Sequence, residues 1–319
     1  MHNPFRRAAA AGLFLLAFAA PAALAQDQAQ LKGRAELLLE DIRKSGAKVE
    51  YGALEPGTGP EGLIIKDLVV TSSDGEVIKV GAIEVKAYDW ANPRAARHAD
   101  VSLRDMIIPL KDDDSTATDL REMGYKELKL AIDVAYKYNA ETKVFDISKI
   151  TADIDQLGTL RFALAIGGLT PEDMTALSKL GAGAGGEPKP AQPGQPAQPP
   201  GDDPMKILER MTIVSGALAF RDKSFVQRAI AHQAKKSGKS EADGKSEVLA
   251  MLAEQRKAAQ DDLSREAIDA AIKFVMQPGE IEVTLKPGQP ANVMAVFGML
   301  MAGPGALKSA LGITFAVKP

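Results

Sequence analysis

Apolar and polar residues alternate strictly along the segment from residue 125 to residue 170. From residue 128 to residue 138 every second position is leucine, isoleucine, valine or tyrosine, and lysine, aspartate or alanine fills the positions between. Successive side chains of a β-strand point to opposite faces, so this alternation predicts a strand with one buried face. The pattern returns at residues 150–154 and 160–166, after short polar turns. Three such runs predict an antiparallel meander with one face on a core.

A second set of alternating runs, between residues 63 and 90, predicts another meander. The pair Asp74-Gly75 separates two of these runs and favours a tight turn. Residues 77–80 and 83–85 are predicted as separate strands, with Gly81 between them as a bend or bulge. Residues 101–110 continue the alternation and predict one more strand.

Apolar residues at helical spacing predict helices before and after the meanders in the sequence. Residues 31–45 carry one apolar stripe, and Gly46 is suited to ending that helix. Thr170 followed by Pro171 is typical of a helix start, which places a helix at residues 171–180. Later elements follow from the same signals: helices after Ser224, at 246–259 and 264–276 with serine N-caps, and at 293–301 after Asn292, and strands at 212–220, 280–286 and 313–317.

These elements predict an α+β fold with antiparallel β-meanders that form a curved sheet. Helices are expected on one side of the sheet, and the C-terminal half is expected to be helical. Residues 181–203 are rich in glycine and proline and lack apolar periodicity, so they predict a linker. This linker separates a helix-plus-meander region at residues 26–180 from an α+β region at residues 204–319.

The first 25 residues have the pattern of a signal peptide. Arg6 and Arg7 precede an apolar run at residues 8–20, and Ala23-Leu24-Ala25 is suited to cleavage. Export to the periplasm is therefore predicted, with no transmembrane segment left after cleavage. The alternative is an uncleaved N-terminal anchor.

Composition narrows the classes of function. The formal net charge is −3, so no electrostatic case exists for a nucleic-acid partner. The chain contains no cysteine, and a protein of an oxidising compartment would then rely on burial rather than on disulfides.

Motifs that resemble nucleotide-binding and nucleophilic sites occur in unsuitable surroundings. Gly57-x-Gly59-x-x-Gly62 matches a dinucleotide fingerprint, but Pro60 interrupts it and a strand follows where a helix is required. Ser45 and Lys48 have the spacing of a serine–lysine pair, but a predicted helix end lies between them. We therefore expect no catalytic residue and no cofactor.

Candidate metal ligands are scattered. Residues 112–114 are three aspartates, but the glycine and glutamate that an EF-hand loop requires are replaced by Ala117 and Met123. His98 and His232 lie far apart in the sequence, and zinc needs three or four good ligands. The sequence thus predicts no metal site and a protein that is not an enzyme. A hydrolase whose site is assembled from distant residues is the weaker alternative, and it requires a polar pocket with shifted titrating groups.

The hairpin at residues 68–85 resembles a recurring unit of bacterial envelope proteins. It combines Leu68-Val69-Val70, the Asp74-Gly75 turn and the run from Val77 through Val80-Gly81 and Ile83 to Val85. The AsmA-like and YdgA-like groups have similar hairpins, and the run at residues 146–168 also looks like their strand repeats. What the resemblance implies is a long curved β-sheet in the periplasm with an apolar groove for lipid.

The leading functional expectation is a non-enzymatic periplasmic protein of the cell envelope that binds lipid or another apolar ligand along its sheet. The apolar positions of residues 128–138 are the first candidates for the groove. The alternative is a structural or protein-interaction module of the envelope that docks through its helical C-terminal half, where the helices at residues 224–276 would be tested first.

Overall fold

A computed structural model describes residues 28–73, 75–93, 96–110, 115–173, 176 and 204–319. The predicted signal peptide at residues 1–25, the aspartates at 112–114 and the predicted linker at 181–203 lie outside these residues. Only the first turn of the predicted helix at 171–180 and one later residue of it are described, and both are helical.

The described residues form the following helices and strands. The helices are α1 (Gln28–Lys44), α2 (Ser115–Glu122), α3 (Pro204–Arg210), α4 (Phe225–Lys236), α5 (Glu241–Ala258), α6 (Asp262–Met276), α7 (Val293–Ala302) and α8 (Pro304–Leu311). The strands are β1 (Lys48–Glu50), β2 (Ala53–Pro56), β3 (Leu63–Thr71), β4 (Val77–Tyr88), β5 (His98–Pro109), β6 (Glu127–Asn139), β7 (Val144–Ile154), β8 (Gly158–Gly167), β9 (Thr212–Asp222), β10 (Glu280–Leu285), β11 (Ala291–Asn292) and β12 (Ile313–Lys318).

All the described strands join one open antiparallel sheet of twelve strands. Its order is β1-β3-β4-β5-β6-β7-β8-β9-β10-β12, with β2 also paired to β3 and β11 to β9. The predicted meanders are therefore confirmed, and they belong to the same sheet. Because β8 pairs with β9 along its length, the sheet continues from the residues before the predicted linker to those after it.

The predicted helical character of the C-terminal half is not clear-cut. Residues 204–319 contain α3 to α8, but they also contain the four strands β9 to β12. What the structure supports is a large antiparallel sheet with helices.

Two helix starts differ from the prediction. Helix α5 begins five residues before Ser246, with Ser240 as the N-cap that accepts a hydrogen bond from the Asp243 amide. Helix α6 is capped by Asp261, which accepts from the amide of Ser264, the residue predicted as the cap. The glycine in KSEADGKSE predicted a loop, but Gly244 lies within α5. Glycine is needed there because α5 approaches Ala234 of α4 too closely for a side chain at position 244.

The prediction of two separate strands is wrong, since β4 is one strand from Val77 to Tyr88. The irregularity predicted at Gly81 is supported, because Val80 and Ile83 are both buried and the pairings with β3 and β5 skip Gly81. Gly81 also permits a close approach by its neighbour. A Cβ atom at position 81 would lie 2.9 Å from the Cβ of Asp105, which sits in β5 with a positive φ of 52°. Crowding across the strands therefore favours glycine at this position.

We expect Gly81→Ala to lower the free energy of unfolding by about 1–3 kcal/mol, because the added methyl group overpacks this position. Chemical denaturation would measure the change. Gly33→Ala is the control, since Gly33 lies in α1 with no atom within 4 Å of a Cβ built there. The control should leave stability unchanged or raise it by up to about 1 kcal/mol, and equal destabilisation by both variants would contradict the argument.

Two separate hydrophobic clusters pack α1, α6, α7 and α8 on the sheet. The N-terminal cluster packs the apolar stripe of α1 against β3 to β6, with Leu31, Leu38 and Leu39 almost fully buried. The C-terminal cluster is smaller and centres on Leu263 of α6, Leu307 and Leu311 of α8 and Ile313 of β12. The predicted burial of one face of β6 is confirmed, since Leu130, Ile132, Val134 and Tyr136 all belong to the N-terminal cluster.

Candidate functional site

One apolar face extends across the sheet. Residues that pair directly in an antiparallel sheet have neighbouring side chains on the same face. A row of such pairs crosses nine strands and is apolar throughout: Leu63, Val85, Val101, Val134, Ile150, Phe162, Leu218, Val283 and Phe315. A parallel row is also apolar throughout: Ile65, Ile83, Leu103, Ile132, Ala152, Leu160, Phe220, Ile281 and Val317.

Coverage of this face changes sharply along each row. In the first row, exposure is 0% at Leu63 and 7% at Val134, but it reaches 47% at Leu218. In the second row, Ile132 is buried, whereas Leu160 is 44% exposed. Both maxima lie on the adjacent strands β8 and β9. The helices therefore cover the two ends of the apolar face and leave its middle accessible in the part of the chain that is described.

We call this middle part the open strip and define it by five residues on β7, β8 and β9: Ala152, Leu160, Phe162, Leu164 and Leu218. Each is half-buried or exposed, and all five lie outside the two clusters. Neighbouring strands lie about 4.8 Å apart, so the strip is about 10 Å wide. Its length along β8, from Leu160 to Leu164, is about 13 Å at 3.3 Å per residue.

Aromatic rings form the C-terminal border of the open strip. Phe220 of β9 lies beside Leu160 in the sheet pairing. Its ring makes edge-on contacts with Phe274 of α6 at 6.1 Å and with Phe225 of α4 at 6.4 Å between centroids. Helices α4 and α6 thereby close this side of the strip. On the other side, Ile150 and Ile147 of β7 pack against the N-terminal cluster.

The expected groove along residues 128–138 is not found at that place. Apolar residues of β6 from Leu130 to Tyr138 are buried, and α1 belongs to the same cluster as most of them. The accessible part of the apolar face lies two strands further along the chain. Sequence periodicity missed this shift because β6 and β8 carry the same alternation.

The opposite face of the sheet carries a network around Asp133. Ser102 donates a hydrogen bond of 2.6 Å to Asp133, Arg104 donates one of 2.7 Å, and the ammonium of Lys149 lies 3.1 Å away. Burial alone would raise the pKa of Asp133, but these three partners lower it to about 2. Ser102 is fully buried and its hydroxyl donates to the carboxylate, so the group ties β5, β6 and β7 together.

A buried carboxylate lies further along the polar face. Glu280 of β10 is only 3% exposed. Arg161 lies 2.5 Å from it, Arg221 3.0 Å and Lys318 3.5 Å, which gives one contact from each of β8, β9 and β12. Burial would raise the pKa of Glu280, but Arg221, Arg161 and Lys318 together lower it below its usual value. These cations satisfy the acid group and connect four strands.

His232 lies in an ion-pair cluster rather than in an isolated position. Its Nε2 atom is 3.4 Å from Asp119 and 3.6 Å from Glu122, and the histidine side chain is mostly buried. One possible ligand atom from each of the three side chains lies within 4.8 Å of the other two. Lys236 already places its ammonium 2.8 Å from Asp119 and 3.4 Å from Glu122, which lowers the pKa of Asp119 and raises that of Lys236. A cation would have to displace this lysine, so we interpret the cluster as a link between α2 and α4.

The other sequence candidates have local structural roles. His98 lies beside Glu61, at 3.4 Å, and is not part of the His232 cluster. Ser45 donates to the carbonyl of Ile42 at the end of α1, and Gly46 follows with a φ of 87°, which confirms the predicted helix end. The glycines at residues 57–62 lie in a loop that leads into β3, as predicted.

Two groups with shifted pKa values, Asp261 (lowered) and Lys308 (raised), line a cavity among the described residues, and each shift has a local cause in a hydrogen bond or an ion pair. The pKa values of Tyr88 and Tyr136 are raised by burial in the N-terminal cluster. An open cavity of about 640 Å³ lies at the start of α6, where Asp261 and Lys308 are among its lining residues. Asp261 is engaged as the N-cap, and Lys308 pairs with Glu266 at 2.6 Å.

Fold and site together define a protein with an open antiparallel sheet and an accessible apolar strip between the N-terminal cluster and helices α4 and α6. Residues 151–318 match a family model described as "Uncharacterized protein". This match covers more than half of the chain, and the chain belongs to that family. All five residues of the open strip lie within the matched range.

A relative in Aquifex aeolicus (strain VF5), described as "Uncharacterized protein", is 25% identical over 262 residues. The alignment covers 80% of this chain and 79% of the relative. Neither comparison connects the chain to the AsmA-like or YdgA-like groups, so that resemblance stays a prediction.

Proposed function

We propose that this is a non-enzymatic protein of the cell envelope that holds the acyl chain of a lipid on the open strip. The observation that carries the proposal is the accessibility of Leu160 and Leu218 at 44% and 47% in the middle of a face that is otherwise covered. Accessible apolar side chains that lie next to one another are more often part of a binding surface than scattered ones.

The chemistry of the open strip suits an aliphatic chain. Its five residues carry no charged or hydrogen-bonding side chain, so they offer contact area without polar recognition. The strip is bordered by packed side chains on both sides, which suits a thin, flexible occupant. Each methylene group buried there would contribute about 0.8 kcal/mol.

Location in the periplasm is part of the proposal and rests on the sequence of residues 1–25. Within the part of the chain that is described, no helix has the length and apolar character needed to cross a bilayer. The resemblance of residues 68–85 to hairpins of the AsmA-like and YdgA-like groups supports an envelope role and a curved sheet. Docking on envelope proteins through the later helices stays a prediction.

The proposal is tested by titrating the protein with a fluorescent polyene fatty acid. We expect saturable binding with enhanced fluorescence, and at least tenfold weaker binding by Leu218→Glu. A carboxylate at position 218 would have to lose water against the ligand chain, which is unfavourable for a charge. The wild-type side chain is half exposed, so the variant should still fold, and circular dichroism would verify this.

Met251→Glu is the matched control. Met251 lies on α5 and is 52% exposed, so this variant adds the same charge at a similarly exposed apolar residue outside the strip. Its affinity for the fatty acid should equal that of the wild type. The proposal fails if the protein does not bind the probe, or if both variants weaken binding equally.

A further inference from the structure

Helix α7 is the most apolar element on the described surface. Its sequence, VMAVFGMLMA, contains no charged or hydrogen-bonding side chain. Phe297 and Leu300 are each 55% exposed and Met301 is 90% exposed, the highest value among the large hydrophobic residues described. Exposed large side chains on one short helix form a contiguous patch, which distinguishes them from scattered surface leucines.

The other side of α7 is firmly attached to the protein. Val296 and Met299 pack against the C-terminal cluster. Asn292 caps the helix by accepting from the amide of Ala295, and the amide of Val293 donates to the carbonyl of Met211. The outer side chains are therefore presented on a fixed helix.

Helix α7 lies within a long uncharged segment of the sequence. The 21 residues from 287 to 307 contain no aspartate, glutamate, lysine or arginine, and lysines occupy both flanking positions, 286 and 308. Helix α3, which packs against α7, adds an exposed apolar residue, Met205, followed by the exposed Lys206. Lys308 is engaged in an ion pair with Glu266, but Lys206 and Lys286 are exposed. An exposed apolar helix with such cations in neighbouring segments suits an anionic bilayer, with hydrocarbon inside and negative head groups outside.

We propose that α7 is a membrane-docking helix that inserts its outer side into the surface of an anionic lipid bilayer. The helix has ten residues and is about 15 Å long, so it would lie in the interface rather than span the membrane. Phe297, Leu300 and Met301 enter the acyl boundary, and the exposed Lys206 and Lys286 remain among the head groups.

The position of α7 connects this surface to the open strip. Strand β11, just before α7, pairs with Ile213 and Thr212 at the start of β9. Leu218 lies six residues further along that strand, about 20 Å away at 3.3 Å per residue. A docked α7 would thus place the beginning of β9 at the bilayer surface. Entry of a lipid chain into the strip from that surface rests on the proposed function, whereas docking itself does not.

Sedimentation with vesicles tests the docking. Vesicles of phosphatidylglycerol and phosphatidylcholine are pelleted with the full chain, and the bound fraction is measured. We expect Met301→Glu to reduce the partition coefficient at least tenfold. Met276→Glu is the control, because Met276 is 60% exposed and lies at the end of α6. The start of β10, which follows it, pairs with the end of β9, whereas α7 lies near the start of β9. The control should bind vesicles like the wild type.

Tryptophan fluorescence gives a second measurement on a variant that retains apolar character. The chain has a single tryptophan, Trp90, which is buried in the N-terminal cluster. Phe297→Trp should show a blue shift when vesicles are added, and Met251→Trp should not. The absence of a shift in Phe297→Trp, together with equal sedimentation of Met301→Glu and wild type, would overturn the proposal.

Other outcomes separate the competing explanations. A dimer that Met301→Glu dissociates, combined with no binding of the wild type to vesicles, would assign α7 to a second copy of the chain and overturn membrane docking. If Leu218→Glu loses fatty-acid binding but binds vesicles normally, the result would support both the lipid site on the open strip and membrane docking by α7, and would show that they are independent. Vesicle binding by a chain that never binds the fatty acid would leave docking standing and remove the proposed function.

Discussion

Glu280→Gln is expected to lower the free energy of unfolding by about 3 kcal/mol at neutral pH, the lower end of the cost of breaking a buried ion pair. The carboxylate is 3% exposed and contacts Arg161, Arg221 and Lys318. An amide cannot balance their charge, and three cations would repel one another across β8, β9 and β12. The partners are themselves partly exposed, which keeps the cost from being larger. Urea denaturation measures the difference.

The contribution of Glu280 should depend on pH in a defined direction. Its pKa is lowered in the folded state from an ordinary value of 4.5, so the folded state favours the ionised form. The stabilisation is therefore fully present above pH 4.5 and is lost as the pH falls through the lowered pKa. Wild type and Glu280→Gln should converge in stability under acidic conditions.

Glu282→Gln is the control for this experiment. Glu282 lies on the same strand and pairs with Lys318 at 2.7 Å, but its side chain is more exposed than that of Glu280. A clearly smaller loss of stability is expected, since exposed pairs contribute little. Equal losses for the two variants, or a Glu280 effect that persists unchanged at low pH, would show that charge pairing at Glu280 is not the cause.

Leu39→Ala is expected to lower the free energy of unfolding by about 3 kcal/mol, within the range for large-to-small changes in a core. Leu39 is 1% exposed and lies on the stripe of α1 that packs into the N-terminal cluster. Its truncation removes buried apolar area and leaves a cavity between the helix and the sheet. Urea denaturation again provides the measurement.

Lys32→Ala serves as the control on the same helix. Lys32 is exposed, and its replacement should change stability by less than about 0.5 kcal/mol. If Leu39→Ala cost as little as Lys32→Ala, α1 would not be firmly packed on β3 to β6. The accessible apolar surface would then extend over those strands as well as over β8 and β9.

Strands and their faces were predictable because the alternation of side chains is a local property. The alternation at residues 128–138 and 160–166 predicted strands with one apolar face, and both segments are strands. The sequence could not show that Leu130 is covered and Leu160 is not. That difference depends on where α1 and α6 dock, which involves residues far apart in the chain.

The surroundings of Gly81, Gly244 and Glu280 were not predictable from the local sequence for the same reason, since each depends on contacts with residues of other helices or strands. Gly81 and Gly244 suggested breaks, but each lies inside an element where a neighbouring backbone or side chain comes too close for a Cβ atom. Glu280 occupies an alternating polar position that normally faces water. Its burial arises from the register that brings Arg161 and Arg221 beside it, and no local pattern records that register.

The order of strands in the sheet has a consequence for how the chain folds. From β3 to β10 each paired neighbour is the next strand in the sequence. The connections as far as β8 have three to nine residues, except for the 17 residues between β5 and β6, which include α2. Closing a loop costs entropy that grows with its length, and contacts between near neighbours form fastest. Strand β9 begins only at Thr212, after β8 has ended at Gly167. We therefore expect the hairpins up to β8 to form early, and the β8–β9 junction, which creates the open strip, to close late.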